Sequence, residues 1–318
     1  MKTKHQRNRK SSLNGRDLIS ADDFSAEEIA KIFRLAAAMK RQPKKYRKSL
    51  DGKMMALIFE KPSLRTRTTF DVGIKQLGGD SVYLSPAEIN LGKRESVYDV
   101  AKNLERMVDG VMIRTFAHEV CTSFATYCSK PIINGLTDHE HPCQALADFF
   151  TLLERKKNLS KLKLSYIGDG NNVAHSLMLV AAKLGAQMYF ACPEHYLPAA
   201  DVVRRANELA GESGARIVVT QSPIEAAENA DMIYTDTWAS MGQEQEAGER
   251  RRVFKPYQVN MELFSRAKKD ALFMHCLPAH RGEEVTDEVI DSGNSVVFQE
   301  AENRLHVQKA IMYELLRD

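Results

Sequence analysis

A chain of 318 residues exceeds one typical core, and 43% hydrophobic with 27% charged residues excludes a disordered polymer and fits a globular protein of two domains. Lysine and arginine total 45 against 42 acids, and a balance of +3 is too slight to mark a nucleic-acid binder. Five cysteines, odd in number and without close pairs, read as reduced thiols in a cytoplasmic setting rather than as a disulfide scaffold.

In chain order, the basic start "MKTKHQRNRKSS" has no apolar core and reads as a solvated tail rather than a secretory signal. No apolar run approaches the roughly 20 residues of a membrane helix. "SAEEIAKIFRLAAAMK" is helical, capped by Ser25, with Ile29, Ile32, Phe33 and Ala36 on one stripe. "MMALIF" reads as a buried strand, and "RTRTTFDVGIKQLGG" as a helix closed by Gly78 and Gly79. "GVMIRTF" is a second strand, and "HPCQALADFFTLLERK" a long helix with Pro142 in its first turn.

A second series follows. "LKLSYIGDG" is a strand, "VAHSLMLVAAKLG" a helix and "AQMYFACP" a strand; "ARIVVTQ", "PIEAAENA", "DMIYTDTW" and "DALFMHCLP" continue it, and "AENRLHVQKAIMYELLRD" forms a final helix. The alternation predicts an α/β protein of two domains, each a mainly parallel sheet flanked by helices on both faces. The polar motifs fall at the C-terminal ends of strands, where open α/β sheets build ligand sites. The polar stretch "ERKKNLSKLK" places the division near residues 150–160.

The first such motif is "SLRTR". A helix that begins just after Ser63 has that serine as its N-cap, so its first N–H groups and its dipole favour an anion. Arg65, Thr66 and Arg67 add guanidinium forks and a hydroxyl at the same end, a set suited to a phosphate dianion. A plain solvated helix start is the alternative. No Walker loop is present, so a nucleotide is not implied. "HPCQ" puts His141 and Gln144 on one helix face, where an imidazole and an amide can polarise a carbonyl and orient an NH2 group, or simply cap and solvate the helix. Arg114 ends the strand "GVMIR".

"GDGNNVAH" resembles a dinucleotide turn but has Val173 where a third glycine belongs, and Asn171 and Asn172 stand ready to cap the next helix or bind a polar ligand. In "DTWASMG", Asp236 suits a cationic amine, with Ser240 four residues on; the charged "GQEQEAGERRR" after it reads as a loop, mobile or merely solvated. "HCLPAH" allows a Cys276 hydrolase or a His275–Cys276–His280 metal site, but adjacent strand residues point to opposite faces and the spacing matches no zinc pattern.

"SLRTR", "HPCQ", "DTWASMG" and "HCLP", in this order and spacing, resemble the aspartate/ornithine carbamoyltransferase family from about Gly15 to Arg317. The last two motifs, with "GDGNNVAHS" and "EAENR", are similar to its ornithine-using members. The resemblance implies transfer of the carbamoyl group of carbamoyl phosphate to the δ-amino group of L-ornithine; putrescine or an N-acylated ornithine is the alternative acceptor. It implies a carbamoyl phosphate-binding domain over 1–150, an ornithine-binding domain over 151–299, and a final helix, about 300–318, returning to the first. It also implies a homotrimer or a multiple of trimers, with no metal or organic cofactor, no nucleic acid and no membrane.

Carried over by position, the resemblance assigns Ser63, Leu64, Arg65, Thr66, Asn90, Arg114, His141, Gln144, Cys276, Leu277 and Arg304 to carbamoyl phosphate. Arg114, His141 and Cys276 among them are expected at the reacting centre. Asn172, Asp236, Ser240 and Met241 are assigned to ornithine. Two positions depart from the pattern. Leu64 stands where many members have threonine, and is expected to offer its backbone N–H. Asn90 stands where relatives often carry glutamine or histidine reaching into a neighbouring subunit.

Overall fold

Ser25 opens the first helix, α1 (Ala26–Arg41), with a capping box: its hydroxyl accepts from the Glu28 N–H, and the Glu28 carboxylate accepts from the Ser25 N–H. Ile29, Ile32, Phe33, Ala36 and Met39 form the buried stripe. The computed structural model describes residues 12–89, 91–92, 94–239, 242 and 244–317. Asn90, Ser240, Met241 and most of the basic N-terminal stretch lie outside the described residues.

The chain divides into two compact units. One runs up to Cys143 and includes the residues from Arg304 onward; the other is Gln144–Asn303. After α1 the first unit contains β1 (Met54–Phe59), α2 (Leu64–Gln76), β2 (Asp80–Leu84), α3 (Pro86–Ile89), α4 (Val97–Leu104), β3 (Gly110–Arg114), α5 (His118–Tyr127) and β4 (Ile132–Leu136). Its sheet has the order β2-β1-β3-β4 and every pairing is parallel. Ala56, Ile58, Val111, Ile113, Phe124 and Ile132 fill one side of it. Buried strands of this kind read as continuous apolar runs because helices cover both faces.

Helix α6 (Pro142–Lys156) leads into the second unit, whose elements are β5 (Lys163–Ile167), α7 (Asn172–Lys183), β6 (Gln187–Ala191), α8 (Ala200–Ser213), β7 (Arg216–Thr220), α9 (Pro223–Ala227), β8 (Met232–Tyr234), α10 (Ala247–Phe254), α11 (Met261–Phe264), β9 (Leu272–Met274) and α12 (Asp287–Ile290). The sheet order is β7-β6-β5-β8-β9, again all parallel. Ile167, Ile233, Trp238, Phe254 and Phe273 belong to its core. The last helix, α13 (Val297–Leu316), begins in this unit and ends in the first. There it packs closely on α2: a Cβ on Gly73 would meet the Met312 Cε at 2.8 Å. Among the described residues no helix is long and apolar enough to cross a membrane.

Strand order positions the motifs. In the first sheet the order reverses between β1 and β3, and Ser63 follows β1 while Arg114 ends β3. In the second it reverses between β5 and β8; Gly168–Asn172 follow β5 and Asp236 follows β8. Strands diverge at such switch points, leaving a crevice at their C-terminal ends.

Candidate active site

In the first unit, Ser63 is extended and caps α2, its hydroxyl accepting from the Thr66 N–H at 3.2 Å. Leu64 is 77% exposed, so its backbone rather than its side chain is what the helix start can use. Arg65 is half-buried at that end. Arg67 is exposed and lies 3.8 Å from the centre of the Tyr83 ring, which gives it a stacking partner of its own.

Thr66 is fully buried, and its hydroxyl oxygen accepts from Arg304 Nη2 at 2.9 Å and from Arg114 Nη1 at 3.5 Å. Arg304 and Arg114 are both buried. His141, also buried, follows the turn that closes β4 and immediately precedes α6. Burial first, then the Arg304, Arg114 and Arg65 guanidinium groups, push its pKa well below the ordinary imidazole value. A neutral imidazole therefore faces three cations. Such a set tolerates its own repulsion best when an anion sits in it, and a neutral histidine can still donate one hydrogen bond to a developing oxyanion.

Lys61 escapes the sequence reading. It is buried, ion-paired with Asp138 and placed 4.2 Å from the centre of the Phe116 ring. A lysine two residues past a buried strand and just ahead of "PSLRTR" is its mark in the sequence.

In the second unit, Asn171 rather than Asn172 caps α7, accepting from the Val173 and Ala174 N–H groups. Its amide nitrogen donates to Asp236 Oδ2 at 2.8 Å, and the Cys276 thiol donates to Asp236 Oδ1 at 3.1 Å. Asn172 is buried in the first turn of the same helix. Gly170 shows why "GDGNN" needs glycine here: a Cβ would overlap the backbone of Leu197 and Pro198. The close approach is to the chain's own loop, so the near-match to a dinucleotide turn has a packing explanation.

Cys276 is half-buried with its thiol turned inward. Burial, then Asp236, raise its pKa well above the ordinary thiol value, so the group is a donor and not a thiolate nucleophile. The preceding His275 is fully buried; its Nδ1 accepts from the Leu277 N–H at 2.8 Å and its Nε2 lies 3.2 Å from Glu284 Oε1. Those bonds fix an Nε2–H tautomer and hold Leu277, which has φ of 58°. The Asp236, His275 and Cys276 donor atoms lie within 4.8 Å of one another, a distance that suits a metal. Yet both His275 nitrogens and the thiol proton are committed to protein partners, which leaves this set poorly suited to an ion.

Gln144 turns its amide nitrogen to Asp148 Oδ1 at 2.8 Å and Glu300 Oε1 at 3.1 Å. The charged stretch after "DTWASMG" is not a bare loop. Its described part includes α10, whose buried Arg250 donates to Asp169 Oδ2 at 2.8 Å and to the Trp238 carbonyl at 2.9 Å. Burial still pushes Asp169 up to about 6 against the pull of Arg250.

Two family models match the chain: the carbamoyl-P binding domain of aspartate/ornithine carbamoyltransferase over residues 16–154, and the Asp/Orn binding domain over 160–315. The ornithine carbamoyltransferase of Thermococcus kodakarensis is 54% identical over 303 residues, 95% of this chain and 96% of that protein. The Anoxybacillus flavithermus enzyme is 53% identical over 306 residues, covering 96% and 98%. A solved structure, ornithine carbamoyltransferase from Pyrococcus furiosus, superposes with a TM-score of 0.94 at 50% identity, covering 96% of this chain and 98% of that one. With both halves matched and both switch points carrying the motifs, this chain belongs to the aspartate/ornithine carbamoyltransferase family.

Proposed function

We propose that the chain transfers the carbamoyl group of carbamoyl phosphate to the δ-amino group of L-ornithine, giving L-citrulline and phosphate. The observation that carries the reading is the first-unit cluster: a capped helix start, Arg65, Arg114 and Arg304, and a neutral His141. The likeness to named ornithine carbamoyltransferases at 50–54% identity supports ornithine as acceptor over putrescine or an N-acylated ornithine.

In this reading Ser63, Arg65, Thr66 and Arg304 take the phosphate oxygens, with the Leu64 N–H at the helix start. Arg114 and His141 donate to the carbamoyl oxygen, and Gln144 accepts from the carbamoyl NH2. Asp236 holds an ornithine amine beside Asn172, Cys276 and Leu277. Asn90, assigned to carbamoyl phosphate, and Ser240 and Met241, assigned to the α-amino acid end, complete the set. The neutral δ-amine attacks the carbonyl carbon and a tetrahedral oxyanion forms. The carbon–oxygen bond to phosphate then breaks. The amine's extra proton leaves with the phosphate, so no side-chain base is required. Donors aimed at the oxyanion are worth roughly a hundred- to a thousand-fold each in rate, and holding both substrates in place contributes several kcal/mol more.

The five free cysteines, four of them buried, fit a cytoplasmic enzyme. A homotrimer, or a multiple of it, is the assembly the family resemblance implies, and sedimentation reads it directly. The deciding assay supplies carbamoyl phosphate with ornithine, putrescine, N-acetylornithine or aspartate and detects the carbamoylated product. Citrulline from ornithine alone is expected. Faster product formation from any of the other three overturns the assignment of acceptor.

A further inference from the structure

Inside the second unit lies a pair of acids that the proposed chemistry does not use. Asp148 is on α6 and Glu300 on α13, and both are fully buried. One nitrogen, that of the Gln144 amide, donates to both, at 2.8 Å to Asp148 Oδ1 and 3.1 Å to Glu300 Oε1, which sets the two carboxyls side by side. Two buried carboxylates so placed cannot both ionise, so the pair holds one proton between them. Burial and the Asp148 charge push the Glu300 pKa well up, which agrees with that arrangement.

Around the pair, Glu300 Oε1 accepts from the Tyr234 hydroxyl at 3.2 Å, and Glu300 Oε2 accepts from the His275 backbone N–H at 3.0 Å. The other titratable groups close by are Cys276 and Asp236, beyond the ends of β9 and β8. Asp148 Oδ1 and the same Glu300 Oε1 both receive the Gln144 amide nitrogen. An amide has two hydrogens on nitrogen and none on oxygen. Turned the other way round, it would press its oxygen against two acceptors. The shared-proton pair thus dictates which end of Gln144 faces inward.

We infer that Glu300 and Asp148 are positioning residues: they hold Gln144 nitrogen-inward, so that its oxygen selects an acyl phosphate bearing an NH2 group, and they tether the peptide that carries Cys276. The inference rests on the assignment of Gln144 to the carbamoyl group. A carboxyl or amide at that position that could rotate would lose the selection, because a methyl group offers no hydrogen to the oxygen.

The test measures, on the full-length enzyme, the dissociation constants of phosphonoacetamide and of acetonylphosphonate, which differ by NH2 against CH3. One neutral hydrogen bond predicts a preference for the amide of roughly five- to tenfold. Q144A should abolish it. E300Q and D148A should reduce it to within about twofold, since each leaves an amide nitrogen or a gap where an acceptor belongs. D148N should keep it, because the new amide donates to Glu300 while its oxygen still accepts from Gln144. If E300Q fails to fold, the contrast between D148A and D148N decides. Loss of preference in Q144A with full preference in E300Q and D148A overturns the inference, as does D148N falling with D148A. Full preference in Q144A, or none in the wild type, removes the assignment of Gln144 and the inference with it.

Discussion

Thr66 is a neutral group that ties two buried guanidinium ions together, and Thr66→Val removes its oxygen while keeping its shape. The two bonds are unequal. The contact from Arg304 at 2.9 Å is a full hydrogen bond, whereas that from Arg114 at 3.5 Å sits at the limit of useful geometry. The loss is therefore close to one charge-assisted bond in a buried site, about 1.5–3 kcal/mol. It should appear as a lower urea midpoint for the ligand-free enzyme at unchanged slope. Thr66→Ser keeps the oxygen and deletes one buried methyl, for about 0.8 kcal/mol. The valine variant should also lose carbamoyl phosphate affinity, since Arg304 is no longer aimed. The reasoning fails if Thr66→Val unfolds at the wild-type midpoint. It fails equally if the serine variant falls as far as the valine one, because the methyl and not the hydroxyl would then matter.

The other expectations concern single groups. His141 has a folded pKa depressed below its ordinary value of 6.5, so the folded chain refuses a proton that the unfolded chain accepts. Its contribution to stability is whole above about pH 6.5 and is lost as pH falls: up to about 1.4 kcal/mol at one unit below. Chemical denaturation at pH 7.5 and 5.5 should show that loss in the wild type relative to H141Q, and parallel behaviour would refute the neutral histidine. Cys276→Ser should raise KM for ornithine with no carbamoyl-enzyme detectable by mass spectrometry during turnover; a trapped adduct on Cys276 of the wild type would make it a nucleophile. Gly170→Ala should lower the melting temperature by the equivalent of about 1–3 kcal/mol, because the added Cβ meets backbone that cannot swing aside; an unchanged melting temperature would show that the Leu197–Pro198 loop yields freely. Arg65→Ala should weaken carbamoyl phosphate binding at least tenfold, and unchanged affinity would remove Arg65 from the phosphate site.

What the sequence made legible depended on how far apart the interacting groups lie along the chain. Ser63 and Thr66 are one helical turn apart, so a cap and an anion-binding end were readable from "SLRTR" alone. "MMALIF" coincides with β1, since a fully buried parallel strand is an apolar run. By contrast β2, an exposed edge strand, and β4, with Asn134 and Gly135 inside it, carry no such run and were not read. The site residues at strand ends were found because parallel sheets put chemistry there, whatever the chemistry is. The couplings that hold them were not: Asn171 meets Asp236 across 65 residues, Arg250 meets Asp169 across 81, and Gln144 meets Glu300 across 156. In each case a polar side chain was visible, and its partner was not. Asp148 illustrates the point. An acid amid "ALADFF" is costly to bury alone, so its presence announced a partner somewhere in the fold. Only the meeting of α6 and α13 within the second unit, which no local pattern encodes, set Glu300 beside it through the shared Gln144 amide and gave the first glutamate of "EAENR" a physical reason.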